Sequence, residues 1–171
     1  RIYLKNLNPN NISAGYIDWM NDYEITKYLE VRFNSPITEN AISQFIAENN
    51  SSQENYLFGI FLIENDQHIG NIRISNIDYN HYRADLGYII GEKKIWGKGF
   101  GTEAIELSTQ FCKSFLGLKK IMAGCYDINT ASQRVLVKAG FEKEAIFRNH
   151  VEFEGQRISS IIYTKEVSMG S

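Results

Sequence analysis

Three glycines stand at alternate positions, Gly97, Gly99 and Gly101, in the stretch KKIWGKGFGTEAI. Glycine costs about 1 kcal/mol per helical position relative to alanine, so such a cluster ahead of helix-forming residues favours unusual dihedral angles or close backbone approach. A loop of bare N–H groups that leads into a helix N-terminus binds phosphate, because the N–H groups and the helix dipole both attract an anion. The spacing therefore predicts a phosphate-binding loop.

Two common phosphate loops do not fit this stretch. The dinucleotide pattern G-x-G-x-x-G, counted from Gly97, would need a glycine where Thr102 stands. A P-loop needs lysine and then serine or threonine directly after its last glycine, but Gly101 is followed by Thr102 and Glu103. The pattern that remains is x-x-G-x-G, placed after an apolar strand and before an amphipathic helix.

The hydrophobic pattern predicts the elements that position this loop. Apolar residues recur at helical spacing in four segments, and β-rich segments surround them. We expect helices over residues 12–20, from about Thr38, over 102–115 and from an N-cap at Asn129 to Gly140; we expect strands over 2–7, 55–64, 69–79, 82–91, 118–127, 145–153 and 157–165. A hairpin-rich beginning followed by alternating strands and helices predicts one α/β (α+β) domain over residues 1–171 with a mixed sheet.

Composition excludes several classes of function. With 18 basic and 20 acidic residues, the chain has no basic excess that would favour nucleic acid. No apolar run approaches the length of a membrane span and no signal-peptide pattern is present, so a soluble, cytoplasmic protein is expected. Cys112 and Cys125 are expected to be buried free thiols. The three histidines are scattered without metal-ligand spacing, so no metal site is expected.

Three segments, ADLGYII, GKGFGTEAI and NTASQRVLVKAGF, together resemble the GNAT acyl-CoA N-acyltransferases. The family signature, Gln/Arg-x-x-Gly-x-Gly/Ala, falls on residues 96–101, with Trp96 in place of Gln or Arg. The resemblance covers nearly the whole chain and is closest to the RimJ/RimL-type branch. It implies a GNAT fold, in which a mostly antiparallel sheet of about six to seven strands is splayed in the middle and flanked by helices. It also implies an enzyme that uses acetyl-CoA as its cosubstrate and needs no metal.

The resemblance implies which residues hold acetyl-CoA. The pyrophosphate would lie on main-chain N–H groups at the start of the helix, and the strand before the loop would pair with the pantetheine. An N–H of that strand would also stabilise charge on the carbonyl oxygen. The expected residues are Ile89 and Ile90 on the strand, Lys98, Gly99, Phe100, Gly101 and Thr102 in the loop, and Asn129, which contacts the pantetheine, caps its helix, or does both.

The chemistry requires a neutral amine, so a base helps, directly or through water. Asp85 is the expected base, because it lies on the strand that leads into the loop, near the place where several GNAT enzymes carry a glutamate; the alternative is an ion pair with Arg83 or Arg73. Many relatives use a tyrosine as the acid that protonates the leaving thiolate, but Leu136 stands there. Ser132 and Tyr126 are the substitute candidates.

The segment YIDWMNDYEITKYLEVRF is expected to form the acceptor wall, with Trp19, Tyr28, Glu30 and Arg32 as substrate-binding residues. Flat aromatic rings and charged groups suit an amino group on a nucleotide-linked sugar, and relatives with a similar stretch include acetyltransferases of such substrates. The alternatives are acetylation of a protein N-terminal amine and a non-catalytic acyl-CoA-binding module, which Trp96 and Leu136 keep open. A solvated face over core aromatics would explain the segment equally. The sequence leaves the oligomeric state open, a homodimer included.

Overall fold

The computed structural model describes residues 1–34 and 36–167. The elements follow the predicted order, apart from a short helix at Tyr23–Thr26 that the hydrophobic pattern does not predict. The strands are β1 (Ile2–Asn6), β2 (Tyr56–Leu62), β3 (His68–Asp78), β4 (Arg83–Ile90), β5 (Lys120–Tyr126), β6 (Glu142–Phe153) and β7 (Gln156–Glu166). The helices are α1 (Ala14–Met20), α2 (Tyr23–Thr26), α3 (Glu39–Ser51), α4 (Phe100–Ser114) and α5 (Thr130–Lys138), with 3₁₀ turns at Glu30–Asn34 and Lys93–Ile95.

All seven strands form one sheet in the order β1-β2-β3-β4-β5-β7-β6. Every neighbouring pair is antiparallel except β4 and β5, which run parallel. That parallel pair is joined only at Arg83–Asp85 against Lys120–Met122, and beyond these positions the two strands diverge. The predicted mostly antiparallel sheet with a splay in the middle is therefore confirmed.

The two faces of the sheet carry different helices. Alternation along β4 places Asp85, Gly87 and Ile89 on one side, and Gly87 and Ile89 line a cavity together with residues of α1 and α3. We call this side the front face. Leu86 and Tyr88 point to the opposite, back face, where α4 and α5 pack against the main hydrophobic core. The splayed gap between β4 and β5 is thus bordered by different elements on its two sides.

Local sequence signals explain where the helices begin. The side chain of Asn129 accepts a hydrogen bond from the N–H of Ser132, which confirms the predicted N-cap. The side chain of Thr38 accepts one from Ala41 and caps the helix expected to begin near it. Cys112 and Cys125 are free and buried, as expected. Within the described ranges no helix has the length and apolar character of a membrane span. The same residues hold no cluster of three or more His, Cys, Asp or Glu side chains suited to a metal ion.

Candidate active site

The glycine loop presents unpaired backbone N–H groups at the beginning of α4. Gly97 and Gly99 have φ angles of 76° and 89°, a left-handed region that glycine occupies without strain. The helix begins at Phe100, so the N–H groups of its first three residues have no acceptor within the helix, and the first capping bond runs from Glu103 to the carbonyl of Gly99. The N–H of Lys98 donates instead to Ile95, 3.2 Å away. Lys98 therefore offers an exposed side chain, and not its N–H, to an anion.

The third glycine serves packing. A Cβ atom at Gly101 would lie 3.2 Å from Cε2 of Tyr88 and 3.5 Å from Cγ1 of Val135. Gly101 is buried, and its small size lets the first turn of α4 approach β4 and α5 closely. A larger residue at this position would displace the helix terminus that carries the N–H groups.

The splayed edge of β4 exposes main-chain groups of alternate residues. The N–H of Gly91 donates to Ile69 at 2.9 Å, and the β3–β4 register continues from this pair without interruption through Ile89. Because hydrogen-bonded and non-bonded pairs alternate in antiparallel strands, the main chain of Ile89 faces β3, whereas that of Tyr88 and Ile90 faces the gap. The expectation that Ile89 supplies an N–H to the gap therefore does not fit this register. Tyr88, which sequence reasoning missed, takes its place beside Ile90.

Trp96 also contacts this edge. Its indole N–H donates to the carbonyl oxygen of Ile90 at 2.8 Å, and the ring remains partly exposed. The residue that departs from the family signature thus caps the last outward-facing carbonyl of β4. The N–H of Ile90 stays available on the same edge.

These features fit acetyl-CoA. Unpaired N–H groups at the N-terminus of a fifteen-residue helix suit a pyrophosphate. An unpaired strand edge leads from there along β4 toward Asp85, where pairing with β5 resumes. An extended, amide-bearing arm can add to such an edge as a further strand would.

Asp85 lies at the base of the splay on the front face. It is half-buried, pairs in register with Met122 of β5, and its Oδ2 accepts a hydrogen bond of 2.8 Å from Nδ2 of Asn76. Arg83 and Arg73, the alternative ion-pair partners, each bond to another side chain. The carboxylate therefore keeps hydrogen-bonding capacity for water or an amine.

The two candidate acids stand on opposite faces of the sheet. Ser132 Oγ lies on the back face, 3.5 Å from the hydroxyl of Tyr88. The hydroxyl of Tyr126 lies on the front face, donates to Glu30 at 2.5 Å and accepts from Arg32 at 2.9 Å. Burial, and then the bond to Glu30, raises the pKa of Tyr126, so its proton is firmly held. The structure does not bring the two candidates together.

Three of the predicted acceptor-wall residues form one cluster with Tyr126. The Arg32 side chain is only 8% exposed, and its guanidinium donates to the carbonyls of Leu29 and Glu152 as well as to Tyr126. Tyr28 packs edge-on against Tyr126, with ring centroids 6.4 Å apart. Glu30 is largely exposed and lies 3.6 Å from Arg32. Arg32 is thus a buried residue whose hydrogen bonds connect the 3₁₀ turn at Glu30–Asn34 to β5 and β6.

Trp19 lies apart from this cluster. Its indole is 8% exposed and packs against the ring of His68, with centroids 5.0 Å apart. A Cβ at Gly91 would overlap the indole, so the tryptophan fills the space beneath the end of β4. Leu136, at the position of the missing tyrosine, is buried in the main core. Neither residue presents a side chain to the gap.

A cavity of about 390 Å³ opens on the front face beside the splay. Its lining is apolar apart from a few side chains, among which Asn71 and Arg73 come from β3. The lining comprises Tyr16, Met20, Leu29, Val31, Ile37, Ala41, Ile42, Phe45, Leu57, Asn71, Arg73, Gly87, Tyr88 and Ile89. A Cβ at Gly87 would meet no heavy atom within 4 Å, so the absence of a side chain there keeps the cavity open toward β4.

The segment between α1 and α3 closes the front of this cavity and is tied down on both sides. Lys93, which follows β4, bridges Asp22 at 2.7 Å and Glu24 at 2.6 Å. On the other side the hydroxyl of Tyr23 donates to Glu154 in the β6–β7 turn. The bond to Lys93 lowers the pKa of Asp22. The segment therefore spans from the end of β4 to the last hairpin.

Comparison with known proteins identifies this architecture. A family model described as an acetyltransferase (GNAT) domain matches residues 1–142. An uncharacterized N-acetyltransferase, YoaA of Bacillus subtilis, is 31% identical over 167 residues, which cover 96% of this chain and 92% of YoaA. The [ribosomal protein uS5]-alanine N-acetyltransferase of Escherichia coli is 32% identical over 103 residues, 59% of this chain and 52% of that enzyme.

Solved structures show the same fold at lower sequence identity. The spermidine N-acetyltransferase of Vibrio cholerae, determined in complex with CoA and spermine, superposes with a TM-score of 0.82. It is 18% identical, and the match covers 97% of this chain and 95% of that one.

Proposed function

Since the chain belongs to the GNAT acetyltransferase family and is an N-acetyltransferase, we propose that it transfers an acetyl group from acetyl-CoA to the N-terminal amine of a polypeptide. The observation that carries the choice of acceptor is the apolar cavity, which adjoins the splayed edge at Gly87 and Ile89. A small apolar group attached next to an amine fits such a cavity, whereas a ring with several hydroxyl groups would find few hydrogen-bond partners there.

Different residues around the splay bind the pyrophosphate and the pantetheine of acetyl-CoA. Acetyl-CoA supplies an acetyl group activated as a thioester. Phe100, Gly101 and Thr102 direct their N–H groups at its pyrophosphate, and the exposed Lys98 adds positive charge. The outward-facing N–H groups of Tyr88 and Ile90 are placed to donate to the pantetheine and to the carbonyl oxygen that gains charge.

Proton removal from the amine is assigned to Asp85. It stands on the front face, the side from which an amine in the cavity would approach, and its Oδ2 is already oriented by Asn76. Its position at the closed end of the splay favours transfer through a water molecule. Tyr126 is a poor acid because its hydroxyl already donates to Glu30 and its pKa is raised, so protonation of the thiolate is left to Ser132 or to solvent.

The nucleotide-linked amino sugar, favoured by the residue types of the acceptor wall, loses its main support. A bidentate contact to diphosphate needs accessible guanidinium donors, whereas the Arg32 side chain is only 8% exposed and already makes three hydrogen bonds, to two carbonyls and to Tyr126. The alanine N-acetyltransferase of E. coli, which by its name modifies a ribosomal protein, supports the polypeptide alternative. The buried free thiols accord with a cytoplasmic location, which is part of the same proposal.

The test is a CoA-release assay with four acceptors at equal concentration. They are a peptide with a free apolar N-terminal residue, the same peptide blocked at its N-terminus, a nucleotide-linked amino sugar, and spermidine. We expect release with the free peptide alone, and mass spectrometry should locate the acetyl group on its N-terminal nitrogen. Faster release with the sugar nucleotide or with spermidine would overturn the choice of acceptor and leave the family assignment intact.

A further inference from the structure

The front-face cavity contains one buried amide with an unused donor. Asn71 is 4% exposed and lines the cavity, and its Nδ2 has no hydrogen-bond partner in residues 1–34 and 36–167. A buried N–H without an acceptor costs free energy, and nearly all such groups in native proteins are paired. An orphan donor in a binding cavity therefore points to an acceptor atom on the ligand.

The orientation of this amide is fixed by His68. The carbonyl of Gly70 can only accept, and it lies 2.9 Å from His68 Nε2, so Nε2 carries the hydrogen. The Asn71 atom 2.8 Å from the same nitrogen is accordingly the oxygen, Oδ1. The hydroxyl of Ser13 donates to Nδ1 at 2.8 Å and completes the ring's contacts. The Nδ2 group is left without an acceptor.

Burial of the imidazole reinforces this arrangement. It lowers the pKa of His68, more than the bonds to Asn71 and Gly70 raise it, so the ring stays neutral with a single N–H. The ring is also held between aromatic neighbours: it stacks on Phe61 and meets Trp19 edge-on. The His68 ring, which is itself held in place by Phe61 and Trp19, therefore fixes the orientation of the Asn71 amide.

The position of Asn71 matches the place where an acceptor must enter. Asn71 pairs in register with Ile89, so its side chain stands on the front face one strand spacing, about 4.8 Å, from β4. The other cavity-lining polar group of β3, Arg73, donates through Nε to Asn49 and lies over the ring of Phe45. Arg73 is thus held by other residues, and the amide of Asn71 adds a buried donor next to β4.

We infer that Asn71 is a specificity-determining residue that donates a hydrogen bond to the carbonyl oxygen adjacent to the acceptor amine, while the cavity takes the apolar side chain of the same residue. The ligand chemistry is an α-amino acyl group, in which the carbonyl carbon is two bonds from the amine nitrogen. This inference rests on the proposed function and narrows its substrate class. A polypeptide N-terminus and a free amino acid both carry this group, and the test separates them.

The test compares wild type with Asn71→Ala on a peptide that begins with leucine and on isoamylamine, which is leucine without its carboxyl group. In the alanine variant His68 can still donate its hydrogen bond to the carbonyl oxygen of Gly70, so the imidazole ring should keep its position. We expect kcat/KM for the peptide to fall at least tenfold and kcat/KM for isoamylamine to change less than twofold. Asn71→Asp, which keeps an oxygen for His68 and removes the donor, should give the same pattern. Acetyl-CoA affinity should be unchanged in both variants.

Asn49→Asp is the matched control. Asn49 is equally buried, but its Nδ2 donates to Phe45 and its Oδ1 accepts from Arg73, so both ends are used. Any decrease of kcat/KM in this variant should be the same for the peptide and for isoamylamine. Equal losses on both acceptors in the Asn71 variants would overturn the inference, as would equal rates for peptides that begin with leucine and with aspartate.

Two further arms separate this inference from the proposed function. Free leucine and leucinamide are assayed beside the peptide in wild type. Preference for free leucine, with the Asn71 pattern retained, would support the inference and reject the polypeptide as acceptor. Efficient peptide acetylation without the Asn71 pattern would reject the inference alone. Acetylation of isoamylamine with none of the α-amino acyl compounds used would reject both.

Discussion

Replacing Arg32 by lysine tests whether this residue stabilises the fold by joining the 3₁₀ turn to β5 and β6 or instead binds an anionic group of the substrate. The guanidinium makes two long-range bonds, to Tyr126 at 2.9 Å and to the carbonyl of Glu152 at 3.2 Å, from a side chain that is 8% exposed. Lysine keeps the charge, but its single nitrogen cannot span the fork of acceptors that the planar guanidinium reaches. We therefore expect about one of the two bonds to be lost.

The magnitude follows from that count. A hydrogen bond to a charged group contributes about 1.5–3 kcal/mol, so Arg32→Lys should lower the free energy of unfolding by about 1.5–3 kcal/mol. For a chain of this size 1 kcal/mol corresponds to about 2–4 °C in Tm, so the melting temperature should fall by about 3–12 °C. Thermal unfolding followed by circular dichroism measures the change.

Arg83→Lys is the matched control. Arg83 is 52% exposed and makes one ion pair, 3.4 Å from Asp78, so its replacement should cost less than about 0.5 kcal/mol. An unchanged Tm for Arg32→Lys, together with a loss of activity confined to acceptors that carry phosphate, would refute the reasoning. It would instead identify Arg32 as a direct ligand of a nucleotide-linked substrate.

Three further variants test the other parts of the site. Gly99→Ala places a side chain at a φ of 89°, which costs about 1–2 kcal/mol and should weaken acetyl-CoA binding about tenfold by calorimetry; Gly117→Ala, at a φ of 65° far from the loop, should leave affinity unchanged. Asp85→Asn should lower turnover at neutral pH, and the ratio of mutant to wild-type rates should approach one as pH rises, because the amine then loses its proton unaided; a flat ratio would assign Asp85 a structural role. Gly87→Val should fold normally, since its Cβ meets no atom within 4 Å. It should raise the KM for the acceptor about tenfold, a change of about 1.4 kcal/mol, without altering acetyl-CoA affinity, and equal effects on both substrates would contradict the assignment of the cavity.

Sequence patterns predicted the elements well because their signals are local. The cap at Asn129, the helix start near Thr38 and the glycine loop each depend on a few neighbouring residues. The amphipathic pattern likewise predicts α4, whose buried residues include Ala104 and Ile105. The proposed acetyl-CoA loop could be located from sequence for the same reason, since a helix N-terminus binds anions through its own backbone.

Roles that depend on distant contacts could not be read this way. Arg32 and Trp19 have the residue types of an acceptor wall, but contacts of Arg32 with β5 and β6, and of Trp19 with the first residue of β3, bury both side chains. The outward direction of the Tyr88 and Ile90 main chains depends on the hydrogen-bonding phase with β3. Asn71 carried no sequence signal, because its significance lies in a donor left unpaired after His68 has fixed its oxygen.

The sequence by itself determined the order of strands and helices, the glycine loop and the family, because periodicity, capping and turn chemistry act over a few residues. Only the tertiary structure decided the acceptor side of the site. On that side α1, α3 and the 3₁₀ turn contact strands that are far away in the chain. These contacts form the cavity, bury Arg32 among its hydrogen-bond acceptors and leave the Nδ2 group of Asn71 unpaired. Whether a side chain is buried or hydrogen-bonded depends on contacts between these distant elements. No local sequence pattern therefore specifies which side chains remain free to bind a substrate.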